Sequence, residues 1–284
     1  MIAILGGLGA AVFWAIATLA SSRAGRRIGP SSTLAWVMVV GLLLGLPAAL
    51  VASPGPVIDD RSIGWLALAG FANAIGLLLV YRGLRIGKVG IVAALASTQG
   101  AIAAVLAVVA GETLAPGAAI LLAVVATGVA IVAGGADGTA AGHDPAAERR
   151  AVIYGIAGAA CFGLGLFALA RASIALSPWW AVLPARIVGT GIVTVPLALA
   201  GRLRLTRAAL PLVVVGGLGE LVGSISFGFG ARDGIAVAAV LASQFAAIAA
   251  IGAFFLFHER VTVRQRLGVA VVAVGVAVLT ALQA

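Results

Sequence analysis

The chain has 284 residues, 63% of them hydrophobic and only 10% charged, with a mean hydropathy of +1.21. Water-soluble domains are nearer half apolar and a quarter charged, so this composition excludes an ordinary soluble fold and points to an integral membrane protein. The net charge of +9 does not mark a nucleic-acid partner, because the basic residues are scattered thinly between apolar runs instead of covering one face.

Ten apolar segments follow one another along the chain, at about 3–20, 33–52, 63–81, 90–110, 116–134, 151–170, 178–200, 208–230, 235–257 and 265–282. Each has roughly the 20 residues that a helix needs to cross a hydrocarbon core. Continuous runs of this kind exclude a β-barrel, whose strands alternate. The first segment starts without the basic leader of a secretory signal, which predicts a mature first span. Separators carry turn residues or charge, as in Ser53 to Arg61 (SPGPVIDDR). Asp144-Pro145 reads as a cap before a first-turn proline, and Thr262 to Gln265 has the spacing of a capping box. The single Cys161 excludes an internal disulfide, and His143 and His258 lie far apart, so neither a cysteine nor a histidine metal site is expected.

A repeat organises these segments. Gly234 to Arg260 (GIAVAAVLASQFAAIAAIGAFFLFHER) is echoed by Gly90 to Glu112 (GIVAALASTQGAIAAVLAVVAGE), aligned through Leu-Ala-Ser and the closing Glu112 and Glu259. Gly9 to Phe13 likewise resembles Gly158 to Phe162, and Pro30 matches Pro178. The longest polar stretch lies between five segments and five, so residues 1–136 form a first five-helix repeat, 137–150 a polar linker and 151–284 a second repeat. Five is odd. The second half therefore enters the membrane from the opposite side, which predicts an all-α protein of ten transmembrane helices in two inverted five-helix repeats around a central cavity. Fourteen Lys and Arg residues follow odd-numbered segments, against Arg61, Arg171 and Arg232 on the other side, and this bias places both termini outside the cytoplasm.

Polar groups within the apolar runs are the candidate site, since a charge in mid-membrane costs about 2.5–3.5 kcal/mol on insertion scales unless paired or hydrated. Glu220 sits near the middle of the eighth segment, and its repeat counterpart is Asn73 in the third. Both are expected to line a substrate path, with Glu220 binding an ammonium group or a proton; the competing role for Glu220 is to satisfy Arg186 or neighbouring backbone. Arg186 holds a substrate carboxylate, pairs with Glu220 or snorkels to an interface. Ser97, Thr98 and Gln99 recur as Ser243 and Gln244 in the repeated stretch, as cavity polar groups or as interhelical hydrogen-bond glue. Trp14 and Trp36 offer aromatic faces to a substrate, whereas Trp65, Trp179 and Trp180 belong to an interfacial belt, and Phe13 and Phe162 to packing. Glu112 and Glu259 read as caps of the helices that follow them. Gly41 and Gly45, and Gly219 and Gly223, have the spacing that lets helices approach closely.

Ten spans, paired five-helix halves, and the Gly111-Glu112-Thr113 and His258-Glu259-Arg260 signatures after the fourth and ninth spans resemble the EamA-type branch of the drug/metabolite transporter superfamily. The resemblance covers essentially the whole chain and implies a helix basket, alternating access and a small organic substrate, amino-acid-like or amphipathic, moved outward across the inner membrane. Its aromatic amino acid exporters are the nearest named relatives. The family keeps both termini in the cytoplasm, so the charge bias here departs from it. No nucleotide-binding, catalytic or HExxH motif is present, so no cofactor and no enzymatic activity are expected. A proton or an exchange partner is the candidate source of energy, and a monomer fits the sequence. The alternative of another class is a membrane interaction, regulatory or lipid-handling protein of the same fold without solute turnover.

Overall fold

The structure is a computed structural model that describes residues 1–56, 58–86, 92, 95–113 and 145–249, with residues 117, 119, 120, 123, 124, 127, 128, 131, 252, 267, 271 and 274. The linker residues 137–144, His258, Glu259 and the capping box at 262–265 lie outside the described residues, as do His143 and most of the fifth and tenth segments.

Among the described residues the regular structure is entirely helical. The first three helices are α1 (Ile2–Ile28), α2 (Pro30–Ala52) and α3 (Asp60–Ile86), followed by α4 (Gln99–Val109) and α5 (Pro145–Ala175). The seventh segment is broken into α6 (Pro178–Ala181), α7 (Leu183–Gly189), a π-helical turn (Thr190–Thr194) and α8 (Val195–Leu199), and α9 (Leu210–Ala231) and α10 (Ile235–Ala242) close the described part. Among the described residues six stretches, counting 178–199 as one, are long and apolar enough to cross a membrane. Large apolar side chains such as Leu43, Val51, Val109 and Leu199 face outward, as expected where the surrounding solvent is lipid.

Local chemistry explains the corners. Arg26 and Arg27 lie in the last turn of α1, where a cation meets the negative end of the helix dipole. Gly29 follows at φ 84°, a left-handed conformation that glycine adopts without penalty, and Pro30 starts α2 at a position where its missing N–H costs nothing.

Helices approach most closely where side chains are absent. Along the α1–α9 seam, a Cβ on Gly6 would lie 2.5 Å from the Gly230 Cα, and one on Gly219 2.8 Å from the Phe13 carbonyl. The α3–α5 seam is built the same way: Gly158 receives Val80 and Gly76 receives Phe162. Around α2 and α7, Arg186 lies over Gly41 and Met38 over Gly189, while Val40 packs on Gly217 and Val188 on Gly70. The Gly41 and Gly45 spacing thus serves to admit Arg186 and Leu221, and Gly223 admits the Trp14 ring.

The repeated stretch is interrupted at matching places. The Thr98 N–H bonds to the Leu95 carbonyl and the Gln244 N–H to the Leu241 carbonyl, both at 3.1 Å, three residues back instead of four. Regular spacing resumes with Ile102 to Thr98 and Ile248 to Gln244. The two strands of helix touch here, Gly100 lying against Ala239 and Ser243, where only glycine leaves room.

Candidate functional site, a cavity between the helices

A cavity of about 330 Å³ lies between α1, α3, α5, α7 and α9. Its deep part is walled by Trp14, Ala69, Leu169, Ala181 and Phe245, and its mouth by Gly25, Arg26, Pro30 and Arg85, at the ends of α1 and α3. Among the described residues, the opposite end is bridged by two acids. There the Asp233 carboxylate accepts the Ala3 N–H at 3.1 Å and pairs with the chain's amino terminus at 3.4 Å. The Glu112 carboxylate accepts the Ile235 and Ala236 N–H groups, both at 3.1 Å. Each acid caps the start of a helix, where unpaired N–H groups and the helix dipole favour negative charge. Glu112 caps α10 across the molecule; the start of the helix that it was expected to cap in the chain lies outside the described residues. The Ala3 N–H bond, joined by the nearby amino terminus, holds the Asp233 carboxyl below its ordinary value near 3.8.

Four of the sequence-predicted site residues line this cavity: Trp14, Asn73, Gln99 and Glu220. Glu220 extends from α9 and stays partly open to the cavity, its side chain 13% exposed, while Arg186 behind it is 1% exposed. Arg186 Nη1 lies 3.7 Å from Glu220 Oε1, and Nη2 donates to the Glu220 carbonyl at 3.0 Å and the Ser224 hydroxyl at 3.2 Å. Of the three roles open to Arg186, pairing is the one its geometry carries. Burial that deep removes it from the membrane interface, and it stands outside the lining.

Asn73 reaches the cavity from α3, and among the described residues its Oδ1 has no hydrogen-bond partner; the Trp14 Nε1 likewise has none among them. Buried polar atoms of this kind are costly unless a ligand or water meets them, which makes both suited to contacting solute. The Trp14 ring packs against Phe227 and edge-on to Phe245, with centroids 6.1 and 6.5 Å away, so its orientation is held.

Ser97, Ser243 and Gln244 are buried but outside the lining. The Ser243 hydroxyl donates to the Ala239 carbonyl at 3.1 Å, and the Gln244 amide donates to the Val240 carbonyl at 3.3 Å, each within its own turn of helix. Trp36 is also elsewhere, its Nε1 donating to the Arg204 carbonyl at 3.0 Å. Trp65, Trp179 and Trp180 stand near the bridged end, Trp65 beneath Arg171 at 5.7 Å and Trp180 donating to the Pro54 carbonyl.

Several lining residues were not singled out by sequence. Tyr81 lies eight residues after Asn73 on α3, and Ser224 four after Glu220 on α9, spacings that place each pair on one helix face. Helical periodicity from the two central polar residues would have found both. Phe162, expected to serve packing, lines the cavity as well as filling the notch at Gly76. Thr18, Ser21 and Ser22 add hydroxyls from α1. Among the described residues no group of three or more His, Cys, Asp or Glu gathers as a metal site would require.

No curated protein matches the chain. A solved crystal structure superposes with a TM-score of 0.80 over 99% of this chain and 96% of its own, at 16% sequence identity, which establishes the likeness as one of fold. Residues 1–134 match the EamA-like transporter family. That match rests on α1 to α4 and the segment after them, the half that supplies Trp14, Asn73 and Gln99 to the cavity. The first half of the chain thus matches the EamA-like transporter family, which is part of the drug/metabolite transporter superfamily, and the apolar helices of the described residues are those of a multi-pass membrane protein.

Proposed function

We propose that this protein is a secondary transporter that exports a small organic metabolite, amino-acid-like or amphipathic, by alternating access. The observation that carries the reading is the cavity itself, open at Arg26 and Arg85, bridged at the terminus side and holding Glu220 part-way along the membrane helices. Its walls combine an aromatic and aliphatic body with a few convergent polar groups, the usual make-up of a small-molecule site. Trp14, Asn73, Gln99 and Glu220 contact the solute, and Arg186 acts on it through Glu220. Ser97, Ser243 and Gln244 support the crossing of the two interrupted helices.

The architecture is ten spans in two inverted five-helix repeats, residues 1–136 and 151–284, joined by the linker 137–150. Paired contacts support it: Arg186 on Gly41 recurs as Met38 on Gly189, and Val40 on Gly217 as Val188 on Gly70, each at a constant offset of 147 or 148 residues. The same relation maps the α1–α9 seam onto the α3–α5 seam. A pseudo-two-fold axis of this kind lets one set of contacts open on either side.

The arginine-rich loops lie at the cavity mouth, so the positive-inside rule places that mouth toward the cytoplasm, both termini outside and the loading side inward in an inner-membrane exporter. The test is a panel of labelled amino acids and amphipathic metabolites in proteoliposomes. Saturable uptake accelerated by unlabelled solute on the opposite side is the expected result, weakened at least tenfold by Glu220→Gln. Absence of counterflow across the panel would overturn the reading, because a structural or regulatory protein has no turnover to accelerate.

A further inference from the structure

Glu220 and Arg186 face each other inside the membrane region, and their surroundings differ in one respect that matters for transport. The carboxylate touches the cavity, while the guanidinium lies behind it, with its stem over Gly41 and both of its hydrogen bonds made to α9, at the Glu220 carbonyl and the Ser224 hydroxyl. Arg186 is therefore tied to the helix that carries Glu220 and not to the solute space.

A carrier must pass through a state in which the cavity is closed to both sides. Whatever charge lines it then loses its water, and an unpaired carboxylate makes that passage unfavourable. Carriers with a bare acid in the site can reorient only after a proton or a cationic solute has neutralised it, which enforces exchange. Here the neutralising charge is already part of the chain. In the other half of the molecule the equivalents of Arg186 and Glu220 are Met38 and Asn73, which carry no charge, so the centre balances without any solute. The other titratable groups around the same cavity are Tyr81 on α3 and the mouth residues Arg26 and Arg85.

We propose that Arg186 is a built-in counter-ion for Glu220, so that the empty carrier reorients on its own, transport is net flux instead of obligatory exchange, and the favoured solutes are net-neutral, zwitterionic or uncharged. This rests on the transport reading above, and it is tested without any solute. In a Cys161→Ala background, Ala185→Cys places a thiol on the cavity wall, at a position that is partly exposed. A membrane-impermeant maleimide is applied to oriented proteoliposomes from the mouth side or from the terminus side.

With the pair intact, the thiol is expected to react from both sides in solute-free buffer. Arg186→Gln should keep mouth-side reaction, which also reports a folded cavity, but slow terminus-side reaction by at least about tenfold, since the lone acid now resists closure. Adding Glu220→Gln to Arg186→Gln should restore it. Equal reaction from both sides in Arg186→Gln overturns the proposal, as does failure of the double variant to recover while its mouth side still reacts. Should the intact pair react from the mouth alone, counterflow tells the two readings apart: counterflow present overturns only the built-in counter-ion, and counterflow absent overturns transport itself.

Discussion

The two sides of the cavity share a backbone arrangement and differ in chemistry. On one, Arg186 rests in the notch at Gly41 and pairs with Glu220; on the other, Met38 rests in the notch at Gly189 and the corresponding polar residue is Asn73. Equivalent notches, helices and depths therefore hold a charge pair once and an uncharged pair once. Under the proposed alternating access, duplicated geometry would let the cavity open on either side, while the unequal side chains would set its selectivity and coupling. A second charge pair in the neutral half would double the desolvation cost of closure without adding a way to open.

Breaking the charged side should have the largest effect. Arg186→Met leaves Glu220 unpaired and is expected to destabilise the detergent-solubilised protein by about 2–4 kcal/mol, below the range for a fully sealed pair because Glu220 keeps some contact with the cavity. Combining it with Glu220→Gln should recover more than half of that loss in thermal unfolding. Independent, additive effects of the two substitutions would show that the pair does not act as one unit.

The seams that the two halves share come next. A Cβ on Gly6 would meet the backbone of Gly230, which cannot yield, whereas one on Gly189 would meet the flexible end of Met38. Gly6→Ala should thus cost about 2–3 kcal/mol and Gly189→Ala about 1 kcal/mol, the latter relieved by Met38→Ala. Equal costs at the two positions would argue that close backbone approach is not what holds α1 to α9.

On the neutral side, Asn73→Ala removes an acceptor that has no partner among the described residues. Stability should change by less than about 1 kcal/mol, because no protein hydrogen bond is lost. Counterflow should nevertheless fall several-fold, and a variant with unchanged flux would remove Asn73 from the solute path.

The smallest effect concerns the bridged end. The Asp233 carboxyl is held below its ordinary value near 3.8 by the Ala3 N–H, so its contribution is complete above that value and disappears as pH falls through the lower folded one. Wild type should exceed Asp233→Asn in melting temperature at pH 6, and the gap should narrow as pH falls below 3.8. A gap that stays constant from pH 6 down through the acid range would mean that the carboxylate's charge is not the cause.

Much of this organisation was legible before any fold was considered. Continuous apolar runs report membrane helices because each run must satisfy its own backbone in lipid, and Glu220 and Asn73 announce themselves as polar groups where polarity is costly. The repeat aligned Ser97 to Gln99 with Ser243 and Gln244, yet gave no sign that both helices are interrupted there. Ser243 and Gln244 turned inward to their own helical turns, a choice between cavity and backbone that depends on rotation of the helix and leaves no mark in a uniformly apolar run.

What the sequence determined by itself was the class of solvent, the number and length of the apolar runs, their doubling and the few charges among them, all properties of the covalent chain and its transfer energies. Tertiary structure alone decided the partners. Arg186 had three plausible roles along the chain, and only the notch at Gly41 and the approach of α9 settled that it stands behind Glu220. Glu112 was read as a local cap and caps α10 more than a hundred residues away. Contacts between distant helices follow from where glycine permits close approach in three dimensions, and a Cβ that is missing on one helix says nothing in sequence about which side chain of another will fill its place.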